Sequence, residues 1–134
     1  ADYGVMVWYP ENAGLDRWRE TYCASSRALG GEPDAGRRLR AWANEAGLDV
    51  ETAQSSTWTY ATPETTRWWG GSQAERVRTS GFAVRAREQG LSLAEVEQIA
   101  VAWQDWGRSP DAWFCMPHGE LIARPNLAAH QGKA

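Results

Sequence analysis

Three extended apolar segments, separated by helical ones, set the limits on what this chain can form. The sequence predicts strands at 5–9, 48–61 and 110–125, with two helices after the first strand and a helical stretch over 63–107 before the last. Strands that alternate with helices are typical of α/β proteins. Because three strands are too few to bury both faces of such a sheet, we expect the chain to form one end of a larger α/β fold.

Local signals mark where the predicted helices begin and end. Asp34 is placed to cap the second helix, and Thr62 and Ser92 are placed to cap two later ones. Gly47 is expected to close the second helix, and a break is expected near 80–81. Two helices carry apolar stripes that should be buried: Leu39, Trp42, Ala43 and Ala46 in the second, and Leu93, Val96, Ile99, Ala100, Trp103 and Trp106 in the last.

Two places in the predicted strands are expected to be irregular. The polar stretch 54–57 predicts a bulge or an edge position, and the Pro-His-Gly sequence at 117–119 predicts an irregular midpoint in the last strand. If the second strand is regular, alternation places on one face Leu48, Val50, Thr52, Trp58 and Tyr60.

Tryptophan is the unusual residue of the composition, with nine in 134 residues. Each supplies a large rigid apolar surface and one N–H donor. Such residues can build a core, line an apolar pocket or form a platform for sugars. The sugar platform has less support, because several of the tryptophans fall on helical stripes typical of a core.

Charge and cysteine content exclude several classes of protein. The net charge is −3 and the two signs are interspersed, which argues against a nucleic-acid partner. No apolar run approaches the roughly 18 residues of a membrane span. Cys23 and Cys115 are far apart and outside any Cys/His cluster, so we expect two thiols in a cytoplasmic protein and no metal.

One helix-to-strand motif points to a family. G-R-R-L at 36–39, W at 42 and A-G-L at 46–48 precede the second strand. This pattern resembles the G-R-x-L-x-x-W-x-x-x-A-G-F helix of class I S-adenosylmethionine-dependent methyltransferases, and most of all the ubiquinone/menaquinone-biosynthesis-type small-molecule group. Also similar to that group are the segments 57–63 and 113–124, a W-W-G-G turn at 68–71, and the D-Y-G at 2–4, which resembles the end of the family's fifth strand.

The resemblance implies a fold for the chain and a role for each of its segments. Residues 1–124 would form the C-terminal part of a Rossmann-like seven-stranded α/β sheet, with an antiparallel final hairpin. Residues 63–107 would be a helical insertion that covers substrate, and 125–134 a flexible tail. The chain would then be the C-terminal half of a methyltransferase acting on a small molecule.

The family's cofactor motif is missing from this sequence. It needs a Gly-rich turn after a strand, whereas the Gly-Gly pairs at 30–31 and 70–71 follow helical segments. S-adenosylmethionine is therefore expected to bind the full-length enzyme and not this chain, which we expect to be inactive alone.

In the family, substrate lies between the ends of the central strands and a helical cover. This predicts Asp2 and Tyr3 as substrate contacts, with weak-base character in either. Trp68 and Trp69 would wall an apolar pocket, and Arg76 would meet an anionic group of the substrate. For each, an ordinary structural role is the competing interpretation.

No catalytic residue is predicted. His118 is a possible general base, but a structural role beside Pro117 and Gly119 is favoured, and His130 falls in the tail. The alternative function is a non-enzymatic Trp-rich binding or dimerisation module. In either case we expect a homo-oligomer formed through an exposed strand edge.

Overall fold

The computed structural model describes residues 1–126. A short 3₁₀ turn at Tyr3–Val5 comes first. The strands are β1 (Val7–Tyr9), β2 (Leu48–Tyr60) and β3 (Trp113–Pro125), and the helices are α1 (Ala13–Ala28), α2 (Ala35–Glu45), α3 (Pro63–Thr79), α4 (Phe82–Glu88) and α5 (Leu93–Arg108). Apart from its first two residues, the predicted tail, including His130, lies outside the described residues.

The three strands form one antiparallel sheet in the order β1–β3–β2. The mixed α/β class and the antiparallel final strand are confirmed. The last strand lies in the middle, because it pairs with β1 through Trp113 to Cys115 and with β2 along nearly its whole length. Within residues 1–126 the outer edge of β2 is unpaired, so its predicted edge position is confirmed. Association through that edge stays a prediction.

The bulge in β2 lies nearer the start of the strand than expected. Val50 pairs with Ala123 and Thr52 with Ile122, so Glu51 is the extra residue. Because paired residues share a face and neighbours alternate, Val50 and Trp58 lie on opposite faces. The prediction that Leu48 and Val50 share a face with Tyr60 was therefore wrong.

Beta strand β3 runs without a register shift through its Pro-His-Gly sequence, so the predicted irregular midpoint was wrong. Gly119 is needed in the strand for another reason, which is the close approach of α2. A Cβ on Gly119 would stand 2.2 Å from the carbonyl oxygen of Gly36, and one on Gly36 would stand 3.2 Å from the Gly119 nitrogen. The first turn of α2 thus lies directly on the backbone of the central strand, where side chains have no room.

Two of the three predicted N-cap residues form the capping hydrogen bonds expected from the sequence. Thr62 and Ser92 both form capping boxes, as predicted, and Gly47 has the expected left-handed φ of 68°. Asp34 stands at the N-cap of α2 but makes no capping hydrogen bond. Its carboxylate instead pairs with Arg27, at 2.9 Å between Oδ2 and Nη2.

The main core lies on the face of the sheet opposite α2. Phe114 and Met116 of β3 point into it and meet α1, α3 and α5. The α5 stripe is buried as predicted except for Leu93, which is 66% exposed. In α2 only Ala43 is buried, so the predicted stripe of that helix was largely wrong.

The W-W-G-G sequence lies inside α3 and forms no turn, so that prediction was wrong. Gly70 faces α5 instead. A Cβ there would stand 2.4 Å from the Trp103 carbonyl oxygen and 3.0 Å from the Cα of Gly107. The two helices therefore approach at a glycine–glycine contact, which brings Trp103 and Trp69 into the same core.

This contact predicts opposite effects for two adjacent glycines. Gly70→Ala should destabilise the fold by about 1–3 kcal/mol, because the new methyl group overpacks against backbone. A Cβ added at Gly71 would have no atom within 4 Å. Gly71→Ala should therefore stabilise α3 by up to about 1 kcal/mol, because alanine favours the helix more than glycine does. Urea denaturation of both variants measures the difference, and equal unfolding midpoints would contradict the packing argument.

Candidate functional site

A cavity of about 630 Å³ lies between α1 and the 3₁₀ turn on one side, and β2, α3 and α4 on the other. Its walls are chiefly aromatic rings. Four of the five predicted substrate contacts line it, namely Tyr3, Trp68, Trp69 and Arg76. The fifth, Asp2, lies elsewhere.

One wall is a stack of three rings from the start of the chain and α1. Trp18 and Tyr22 are four residues apart on α1, which puts them on one helix face. Their ring centroids are 5.3 Å apart with planes within 16°, and Tyr3 stacks on Tyr22 at 4.4 Å. Trp18 also meets Trp103 of the core edge-on, so this wall is continuous with the packed interior.

The facing wall comes from β2 and α3. Trp58 and Tyr60 share a face of β2, and Tyr60 stacks on Trp69 with centroids 4.6 Å apart. Trp69 is 6% exposed and Trp68 is 58% exposed, although both line the cavity. One ring is thus fixed by the core, while the other forms the rim.

Polar groups enter the cavity from one face of α3 and from α4. Gln73 and Arg76 are three residues apart on α3, and the Arg76 guanidinium carbon lies 5.9 Å from the Trp69 ring centroid. Gln73 is only 5% exposed, and its side chain has no hydrogen-bond partner within the described part of the chain. Arg85 of α4 completes the polar side of the lining.

Two phenols in the cavity, those of Tyr3 and Tyr60, have raised pKa values and stay protonated at neutral pH. Burial raises the pKa of Tyr3, and the neighbouring Tyr22 phenol adds to the rise. Burial also raises the pKa of Tyr60, while the nearby positive charge of Arg76 acts in the opposite direction. No Asp, Glu, His or Cys is among the lining residues that the structure describes. The described lining therefore offers apolar surface, phenols and cationic groups, and no carboxylate, imidazole or thiol.

Asp2 has a structural contact that accounts for its carboxylate. It is 2% exposed and accepts hydrogen bonds from the Arg37 backbone N–H at 2.9 Å, from Nε at 2.9 Å and from Nη2 at 2.6 Å. Its own N–H donates to the Pro117 carbonyl at 2.9 Å. These bonds fix the start of the chain on α2 and β3, and so position the adjacent Tyr3 in the cavity wall.

His118 lies outside the cavity lining. Its ring packs on Trp58 with centroids 4.4 Å apart, and its Nδ1 lies 3.0 Å from the Met116 carbonyl oxygen. This placement agrees with the structural role favoured from sequence. Within residues 1–126 no cluster of three or more His, Cys, Asp or Glu side chains is arranged to hold a metal ion.

Sequence reasoning missed about half of the cavity. Trp18 and Tyr22 fall on an ordinary amphipathic stripe, which is also what a core helix shows. Gln73 and Arg85 belong to no motif, and only their helical spacing from Arg76 and Phe82 could have suggested them. Among the described helices, none has the length and apolar character needed to cross a bilayer.

Comparison with known proteins gives one informative similarity. No protein-family model matches the chain. It is 34% identical over 98 residues to an uncharacterized methyltransferase of Schizosaccharomyces pombe. The match covers 69% of this chain and 34% of the yeast protein, so the chain spans about a third of the length of the curated relative it matches.

The Asp2–Arg37 contact predicts a pH-dependent stability. Asp2→Asn should cost about 1–3 kcal/mol of unfolding free energy at pH 7, because a buried charge-assisted acceptor is lost. Hydrogen bonds from Arg37 hold the pKa of Asp2 below its usual 3.8, so the native contribution is complete above that pH and disappears as pH falls through the lowered value. Urea midpoints of both proteins should converge between pH 5 and strongly acidic pH. A difference between the two midpoints that stays constant with pH would contradict this.

Proposed function

We propose, from the similarity to a methyltransferase, that this chain is the substrate-side, C-terminal part of an S-adenosylmethionine-dependent methyltransferase of class I. The small-molecule group related to ubiquinone and menaquinone biosynthesis is the proposed subgroup. The observation that carries the proposal is the aromatic cavity, since four of the five residues that the resemblance assigns to substrate line it, namely Tyr3, Trp68, Trp69 and Arg76.

The dimensions of the cavity favour a small molecule as substrate. Its volume of about 630 Å³ lies within the range of ligand pockets, roughly 300–1,000 Å³. Two walls of stacked rings offer flat apolar surfaces.

The described residues do not fit the cofactor. A Gly-rich turn after a strand would let backbone approach the methionine part of the cofactor, but β1 leads into Pro10 and β2 into Ala61. Gly30 closes α1 with a φ of 80°, and Gly70 and Gly71 lie inside α3. We therefore place the cofactor site in the remainder of the proposed full-length enzyme and derive no step of methyl transfer from these residues.

The proposed contribution of this chain is positioning. Methyl transfer needs a nucleophile held in line with the departing sulfur, and correct alignment supplies much of the rate. Stacked rings restrict a planar substrate to few orientations. Because no lining side chain titrates near neutrality within the described residues, these walls orient the substrate without exchanging a proton with it.

The proposal predicts a difference between this chain and the full-length protein that contains it. Calorimetric titration with S-adenosylmethionine should give no binding to the 134-residue chain and binding to the full-length protein, which should also transfer a radiolabelled methyl group to small aromatic acceptors. A micromolar dissociation constant for the isolated chain would overturn the assigned division of roles. A full-length protein that fails to bind the cofactor would overturn the methyltransferase proposal itself.

A second prediction compares two partly exposed tryptophans. In the full-length protein, Trp58→Ala should raise KM for the acceptor roughly threefold to tenfold, since an aromatic contact contributes about 0.5–1.5 kcal/mol. Trp42→Ala removes a similarly exposed ring outside the cavity and should leave KM unchanged. Steady-state kinetics with saturating cofactor measures both. An equal effect of the two changes on KM would show that the cavity does not bind the acceptor.

A further inference from the structure

We propose that the ligand of the aromatic cavity is an aromatic acid, whose carboxylate is bound by Arg76 and Arg85 beside the amide of Gln73. This inference rests on the proposed function, because it names the class of substrate for the same cavity. It is carried by three features of the lining: two arginines without ion pairs, an amide that opens into the cavity, and facing stacks of rings.

Two positive charges of the cavity lack a protein counter-ion. Within residues 1–126 neither Arg76 nor Arg85 forms an ion pair. On the same helix Arg78 binds Glu97 with 2.5 Å between Nη2 and Oε1, whereas Arg67 is exposed, outside the cavity and also unpaired within the described residues. No acidic residue is among the described residues that line the cavity. The uncompensated charges therefore favour an anionic ligand.

The Gln73 amide supplies a second, independent indication. Buried polar side chains nearly always have a hydrogen-bond partner, because leaving one unsatisfied is unfavourable. Gln73 is more than nine-tenths buried, lines the cavity, and finds no partner among the described residues. Its polar atoms are not among the fully buried unsatisfied ones, so they are open to the cavity space and available to a ligand there. Its N–H₂ group can donate to a carboxylate oxygen beside Arg76.

The geometry brings these groups to one side of the space. Gln73 and Arg76 are one turn apart on α3, and Arg85 of α4 lines the same cavity, so two helices supply its donors. A guanidinium presents paired donors in a plane, which matches a planar carboxylate. On the other sides lie the stacked rings, including the Tyr3–Tyr22 pair at 4.4 Å. A flat ring carrying one carboxylate meets both kinds of wall.

A fluorescence titration of the 134-residue chain tests this directly. The probes are 2-naphthoate and its neutral counterpart 2-naphthamide, which have the same ring and differ in charge. Binding is followed by quenching of tryptophan emission, to which four rings of the lining contribute. We expect naphthoate to bind about tenfold more tightly than naphthamide, because charge-assisted hydrogen bonds form only with the acid.

Matched variants locate the effect. Arg76→Gln and Arg85→Gln should each weaken naphthoate binding about tenfold and leave naphthamide binding unchanged. Arg67→Gln on α3 and Arg87→Gln on α4 are the controls, since both side chains are exposed, unpaired within the described residues and outside the cavity lining. They remove the same net charge and should change neither affinity. Thermal melts verify that all four variants are folded.

The possible outcomes separate the two proposals. Equal affinity for the two probes, equal weakening by the control variants, or failure of both probes to bind at millimolar concentration would overturn the assignment of an aromatic acid. None of these measurements involves the cofactor or turnover. The methyltransferase proposal is therefore tested separately, by cofactor binding and methyl transfer with the full-length protein.

Discussion

The central strand β3 is the element on which the other parts of the structure depend. It is hydrogen-bonded to β2 along nearly its whole length and to β1 through its first three residues, and its first half is packed on both faces. Gly119 lets the backbone of α2 rest on one face, while Phe114 and Met116 anchor α1, α3 and α5 on the other. A strand near the end of the chain thus holds together elements from all of the preceding sequence.

The candidate site is a consequence of this arrangement. Because Trp58 and Tyr60 point to the same side of the sheet as Phe114, they meet the rings of α3 at the margin of the core. The Asp2–Arg37 contact fixes Tyr3 against Tyr22 at the opposite margin. The cavity is the space left between two margins of one aromatic core, which explains why Trp18 and Trp69 serve both packing and lining.

What the sequence could predict follows the range of the interactions concerned. The capping boxes at Thr62 and Ser92 are local, and they were predicted correctly. Gly70 and Gly119 were misjudged because glycine signals either a turn or a close approach, and only the distant partner decides between them. The same holds for the site. Trp68, Trp69 and Arg76 were proposed from family resemblance, whereas Gln73 gains its meaning only from burial beside α1 and α4.

The two backbone contacts through glycine have a consequence for how such a protein can diverge. At Gly36 with Gly119 and at Gly70 with Gly107, no larger residue fits, so these positions constrain the architecture as a whole. None of the four lines the aromatic cavity. Ligand preference can therefore drift by replacement of wall side chains one at a time, while the frame that carries them is inherited unchanged.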